Sequence, residues 1–193
     1  MLTEPYERAK EVAWDGYLRM FAAKDEIAPE RVDLRVLDEK IVLRPPERRA
    51  LSTRQDPFLE ILVLHYLTNV EGKQLAGRLV KFRQLPGGNA YEAAFHKRVE
   101  LPLKETFSAE PRLLVKAALR LGGAEAAFGD GAAVLAPLPM IPLTVIAWRG
   151  DGEIEGEASM LFDSGCADIL PTEDLAVAGS LVTSALLRIS TGQ

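Results

Sequence analysis

The stretch AAVLAPLPMIPLTVIAWRGDGEIEGEASMLFDSG, residues 132–165, decides the fold class. It holds three strand-like runs, 132–138, 142–150 and 156–165, separated by short turns built on proline or on Asp151-Gly152. Strand runs joined by turns this short read as an antiparallel meander. The segments before it are mostly helical, and strands do not alternate regularly with helices. A parallel βαβ architecture is therefore disfavoured, and α+β with a mainly antiparallel sheet packed with about five helices is the expected class.

Working outward, residues 172–190 close the chain as a helix whose apolar stripe is Leu175, Ala178, Val182, Ala185, Leu186 and Ile189. Thr172 reads as its N-cap, with Glu173 and Asp174 complementing the positive end of the helix dipole. On the other side, a helix over 110–121 stops at Gly122-Gly123. A further helix over 90–101 is stopped by Pro102 and opened by Asn89 and Glu92 as a capping box. It follows a strand over 78–85, which carries Val80 and Phe82 on one face and Lys81 and Arg83 on the other. Asp56 and Pro57 start an almost wholly apolar helix, expected to be the buried central one. Residues 31–45 read as a hairpin turning at Asp38-Glu39-Lys40, and RPPERR at 44–49 as a solvated loop. Residues 5–24 form the N-terminal amphipathic helix, with Ala13, Trp14, Tyr17, Leu18 and Phe21 on its apolar side.

The 193 residues, 48% hydrophobic and 26% charged, suit a single globular domain over 1–193. A net charge of −5 argues against nucleic acid and against an anionic membrane surface, both of which require a basic face. No apolar run is long enough to span a bilayer, and the charged N-terminus lacks the pattern of a signal peptide, so a cytoplasmic protein is expected. One cysteine, Cys166, and two histidines exclude a disulfide framework and a cysteine-based metal cluster within the chain. Candidate partners are a small molecule, a protein or a second copy of the chain.

Site candidates are few. The segment VKFRQLPGGNAYEAAFHKR, 80–98, sets a basic-faced strand and two glycines before a helix. Glycines in that place can cradle an anion or merely turn the chain. No GxxxxGK[ST] or GxGxxG pattern accompanies them, and Glu92 would repel a phosphate. Arg83 and Tyr91 flank the turn and are the better ligand-binding candidates. His65 lies inside LVLHYL and His96 inside AAFHKR; each is either a structural residue or a ligand or acid–base group. Trp148 belongs to the core or walls a pocket. Asp163 and Asp168 are the two acids of FDSGCADILPTED that the helix start leaves unexplained, and grouped carboxylates suit a hard cation. No known catalytic motif is present, so catalytic residues and cofactors stay unassigned.

The ordered segments ILVLHYL, FRQLPGGNAYEAAF, LGGAEAAFGDGAAVLAPLPMIPLTVIAWRGDGE, MLFD and LPTEDLAVAG resemble a domain-of-unknown-function family of anaerobic bacteria and archaea, over about residues 30–190. The resemblance implies a cytoplasmic protein, and some members of that family carry an added iron–sulfur domain of the type found in corrinoid iron–sulfur proteins. It implies no activity. Two functions fit: a non-catalytic ligand-binding or accessory domain in anaerobic metabolism, for which the resemblance suggests a corrinoid link, or a small hydrolase or transferase using Asp163 and Asp168 with a histidine, with or without a metal.

Overall fold

The computed structural model of the chain describes residues 4–53, 57–151 and 153–192. Its elements are α1 (Glu4–Ala22), β1 (Val32–Val36), β2 (Glu39–Arg44), β3 (Arg49–Ser52), α2 (Pro57–Asn69), β4 (Leu79–Lys81), α3 (Gly88–Phe95), α4 (Leu101–Phe107), α5 (Arg112–Arg120), β5 (Ala124–Ala126), β6 (Gly131–Leu135), β7 (Leu143–Trp148), β8 (Glu157–Asp163) and α6 (Thr172–Ser190). Because α3 and α4 run together through a π turn at His96–Glu100, they form one rod, and the α-helical bodies among the described residues number five. The fold is α+β, with one contiguous apolar core.

The expected three-strand meander forms as β6, β7 and β8, and a short strand the sequence does not mark, β5, extends it. Strands β5 to β8 pair in succession, all antiparallel, and β4 adds to the outer side of β8, giving the order β4-β8-β7-β6-β5. Strand β7 lies at the centre, and its residues Leu143–Ala147 are all buried. Helix α2 is the interior helix expected from its composition, with Leu59, Ile61, Leu62, Val63, Leu64 and Tyr66 buried. The Asp56 cap lies outside the described residues. Helix α6 buries the same stripe the sequence marks, including Leu175, Ala178, Val182 and Leu186.

A second, three-stranded antiparallel sheet is built from residues 32–52, in the order β1-β2-β3. Val36 pairs with Glu39, so the hairpin turns on Leu37-Asp38 rather than on residues 38–40. Inward alternation decides this: Glu39, Ile41 and Leu43 all point inside, which draws the acidic residue into the strand. The 44–49 segment is solvent-exposed from Pro46 to Arg49, as expected, but it is not an irregular loop. Pro45–Glu47 form a 3-10 turn, Arg48 adopts a left-handed conformation at φ 48°, and the chain returns as β3.

The segment after β4 corrects two further expectations. The strand ends at Lys81, because residues Phe82–Gln84 coil into a 3-10 turn whose start is held by the Lys81 N–H donating to Gln84 Oε1 at 2.8 Å. Helix α3 begins at Gly88 with Gly87 as its cap and no side-chain cap, so the Asn89–Glu92 box does not form. Both glycines have a local cause. Gly87 is left-handed at φ 73°, and a Cβ on Gly88 would sit 2.1 Å from the Phe82 carbonyl oxygen. Thr172 does not cap α6 either; its hydroxyl donates to the Pro86 carbonyl at 2.7 Å and ties that helix to the same turn.

Nor does Pro102 stop the helix. Proline lacks the N–H that would bond back along the helix, and its ring crowds the carbonyl four residues earlier. The turn before it widens: Leu101 N–H reaches the His96 carbonyl, and the rod continues to Phe107.

Candidate functional site

The π turn places His96 and Glu100 one above the other on the rod, as residues four apart on a helix lie. His96 Nδ1 is 3.0 Å from Glu100 Oε2. The other carboxylate oxygen, Oε1, accepts from Ser159 Oγ at 3.1 Å and from the Met160 N–H at 3.2 Å, both on β8. Glu100 is therefore anchored to the sheet and fixes the imidazole from one side. With Nδ1 turned to the carboxylate, Nε2 has no hydrogen-bond partner among the described residues.

In front of the pair lies an open cleft of about 530 Å³, between the rod, β8 and the end of β7. Its walls include Lys81, Glu92, His96, Trp148, Arg149 and Glu157. Trp148, 38% exposed, is not a core residue; it ends β7 and offers its indole to the cleft. The charges around the rim are mostly matched. Glu155 and Glu157 share the Lys104 ammonium, at 2.9 and 3.3 Å. Glu92 faces Arg83 Nε at 3.9 Å. Lys81 and Arg149, both lining the cleft, have no ion-pair partner among the described residues. The cleft thus has two uncommitted cations, a positioned imidazole and an exposed indole. π turns recur at functional sites, and this one holds both members of the central pair.

The other sequence candidates lie elsewhere. Arg83 is at the outer side of the cleft, engaged with Glu92. Tyr91 points from the opposite side of α3 into a smaller apolar cavity between α3 and α6. His65 Nδ1 meets Asp174 Oδ2 at 2.6 Å, so the pair clamps α2 to the first turn of α6. Asp163 is 4% exposed, and its carboxylate accepts three backbone N–H groups, from Ala76 (2.8 Å), Gly77 (2.7 Å) and Gly165 (2.8 Å). Those bonds clasp the loop before β4 and the turn after β8. Asp168 is exposed on that turn. Among the described residues, no group of three or more His, Cys, Asp or Glu is arranged to hold a metal ion. Burial pushes the Cys166 thiol up to about 12, with nearby Asp163 adding to the effect, so the sulfur stays protonated and unreactive.

Glu100 and Ser159 were not candidates from sequence. The spacing of His96 and Glu100, followed by Pro102, is a signal in retrospect: an i,i+4 pair just before a helix distortion. Nothing in the sequence marks Ser159, which reaches the pair only through sheet packing.

Fold and cleft together define a single α+β domain with a carboxylate-held histidine at a surface cleft. The chain belongs to the family described as Domain of unknown function (DUF3786), whose model matches residues 22–185. No curated protein and no solved structure matches the chain. Among the described residues, no helix is long and apolar enough to cross a membrane.

Proposed function

We propose that this chain is a non-catalytic, cytoplasmic domain that binds a small planar anion in the His96–Trp148 cleft. The observation that carries this reading is a pair of cations, Lys81 and Arg149, that line the cleft with no ion-pair partner among the described residues. Of the four acids there, Glu92 faces Arg83, Glu155 and Glu157 share Lys104, and Glu100 is held by His96 and β8. Two free cations beside an exposed indole suit a ligand with a flat apolar body and a carboxylate or phosphate. The held imidazole adds a directed polar contact at Nε2.

Binding is favoured over catalysis because the cleft's hydroxyl is already committed: Ser159 donates to Glu100 instead of being activated by the histidine. The hydrolase or transferase reading relied on Asp163 and Asp168. Asp163 is occupied by backbone N–H groups, and the two histidines pair with Asp174 and Glu100 instead. The family resemblance suggests anaerobic bacteria and archaea as the source, and corrinoid-linked metabolism as the setting. A corrinoid is far larger than a 530 Å³ cleft and would rest on it only by an edge. A homo-oligomer would be compatible with the cleft being open.

The test is calorimetric titration with 4-hydroxybenzoate, adenosine monophosphate, flavin mononucleotide and cobinamide. Saturable binding of a planar anion, weakened about tenfold or more by Lys81→Gln or Arg149→Gln, is expected. Binding that ignores both substitutions would refute the assignment to this cleft.

A further inference from the structure

The cavity on the other side of α3 has a different chemistry. It measures about 290 Å³, at the lower end for ligand pockets, and its lining is predominantly apolar. Its floor is the Phe82 and Phe95 rings, stacked with centroids 4.0 Å apart and planes within 1°. Both rings are buried, and a Cβ on Gly179 of α6 would come within 3.0 Å of Phe95, so the floor is held from behind. Val177 and the Tyr91 ring complete the walls. This pocket is pre-formed.

Its polar equipment is one cation and one anion on different helices. Arg98 comes from the π turn and Glu173 from the first turn of α6; both line the cavity and both are exposed. Neither has an ion-pair partner within 4.0 Å among the described residues. A ligand carrying only an acid would satisfy Arg98 and leave Glu173 facing its carboxylate. An amine alone would do the reverse. A ligand with both groups on one carbon and an apolar body satisfies everything at once.

We infer that this pocket binds a free apolar α-amino acid. The side chain lies on the Phe82–Phe95 floor, the carboxylate on the Arg98 guanidinium and the ammonium on the Glu173 carboxylate. The site is independent of the His96 cleft, since Arg98 and Tyr91 face away from it.

The experiment is calorimetric and thermal-shift titration with L-leucine, L-methionine and L-phenylalanine, beside 4-methylpentanoate and isoamylamine as the acid-only and amine-only analogues of leucine. At least one amino acid is expected to bind saturably and raise Tm, with both analogues weaker by about tenfold or more. Arg98→Gln and Glu173→Gln should each weaken binding to a similar degree. Both residues are exposed, so the unliganded Tm should hold for Arg98→Gln and fall by no more than about 4 °C for Glu173→Gln, which gives up its place at the α6 dipole, and His96→Ala should leave amino-acid binding intact. No binding of the three amino acids at millimolar concentration would overturn the inference. So would 4-methylpentanoate binding as well as leucine, or leucine binding unaffected by both substitutions.

Discussion

Replacing Asp163 by Asn separates a structural clasp from a metal or catalytic carboxylate. In the structure, Oδ1 accepts from the Ala76 and Gly165 N–H groups and Oδ2 from the Gly77 N–H, at 2.7–2.8 Å. An asparagine keeps one acceptor oxygen, which can serve the first two donors. Its amide NH2 then faces the Gly77 N–H, donor against donor, in a site only 4% exposed. One charge-assisted hydrogen bond, worth about 1.5–3 kcal/mol, is lost and the other two weaken. The expected cost is about 2–3 kcal/mol, or a Tm lower by roughly 5–10 °C for a chain of this size. Urea unfolding followed by far-UV circular dichroism measures it, run in EDTA and again with millimolar Mg²⁺ or Ca²⁺. A variant within about 0.5 kcal/mol of the parent would refute the clasp. So would a divalent cation that stabilises the parent protein but not the variant.

Three other outcomes follow from local geometry. Gly88→Ala drives a Cβ to 2.1 Å from the Phe82 carbonyl oxygen, whereas Gly87→Ala meets open space and suffers only its φ of 73°. Chemical denaturation should show about 1–2 kcal/mol lost for Gly87→Ala and about 3 kcal/mol or more for Gly88→Ala; the reverse order would contradict this picture of the turn. Burial raises the Glu60 carboxyl above its usual 4.5, against the opposing hydrogen bond from Trp14 Nε1 at 2.8 Å. The folded state therefore binds the proton more tightly, and this group's contribution to stability falls as pH rises through that window. Glu60→Gln should be more stable than the parent at pH 7 and indistinguishable from it below about pH 4, by urea unfolding at the two pH values. Cys166, raised from 9.0 to about 12, should react with iodoacetamide at pH 8 about a thousandfold more slowly in the folded protein than in urea, as followed by mass spectrometry.

Strands β6, β7 and β8 were legible in the sequence because they are contiguous and separated by strong turn signals, whereas the three-residue β5 and the addition of β4 to β8 were not. The interior helix α2 was legible because it is apolar on nearly all sides. The small sheet was half hidden: β3 is only Arg49–Ser52, polar at both ends, and follows two prolines that read as loop. The caps were misassigned at Asn89 and Thr172 for a shared reason, although α6 itself runs over Thr172–Ser190 as expected. Capping residues were recognised by type, but a glycine conformation and a tertiary hydrogen bond to Pro86 decided the outcome. Proline as a helix stop failed at Pro102 because a π turn absorbs its missing donor. Of the cleft, His96 and Trp148 were visible as residues of unusual chemistry. Their convergence, and the parts taken by Glu100, Ser159 and Arg149, depend on the β7–β8 pairing and on the rod's path across it.

The cleft itself can be read by NMR of protein labelled with ¹⁵N at its two tryptophan indoles, titrated with 4-hydroxybenzoate, adenosine monophosphate and flavin mononucleotide. Trp14 is fully buried and donates to Glu60, so it is an internal control, while Trp148 faces the cleft. A planar anion should shift the Trp148 indole signal saturably, leave Trp14 in place, and lose the effect in Lys81→Gln. Shifts that persist unchanged in Lys81→Gln, or a Trp148 signal that no planar anion moves, would contradict the account.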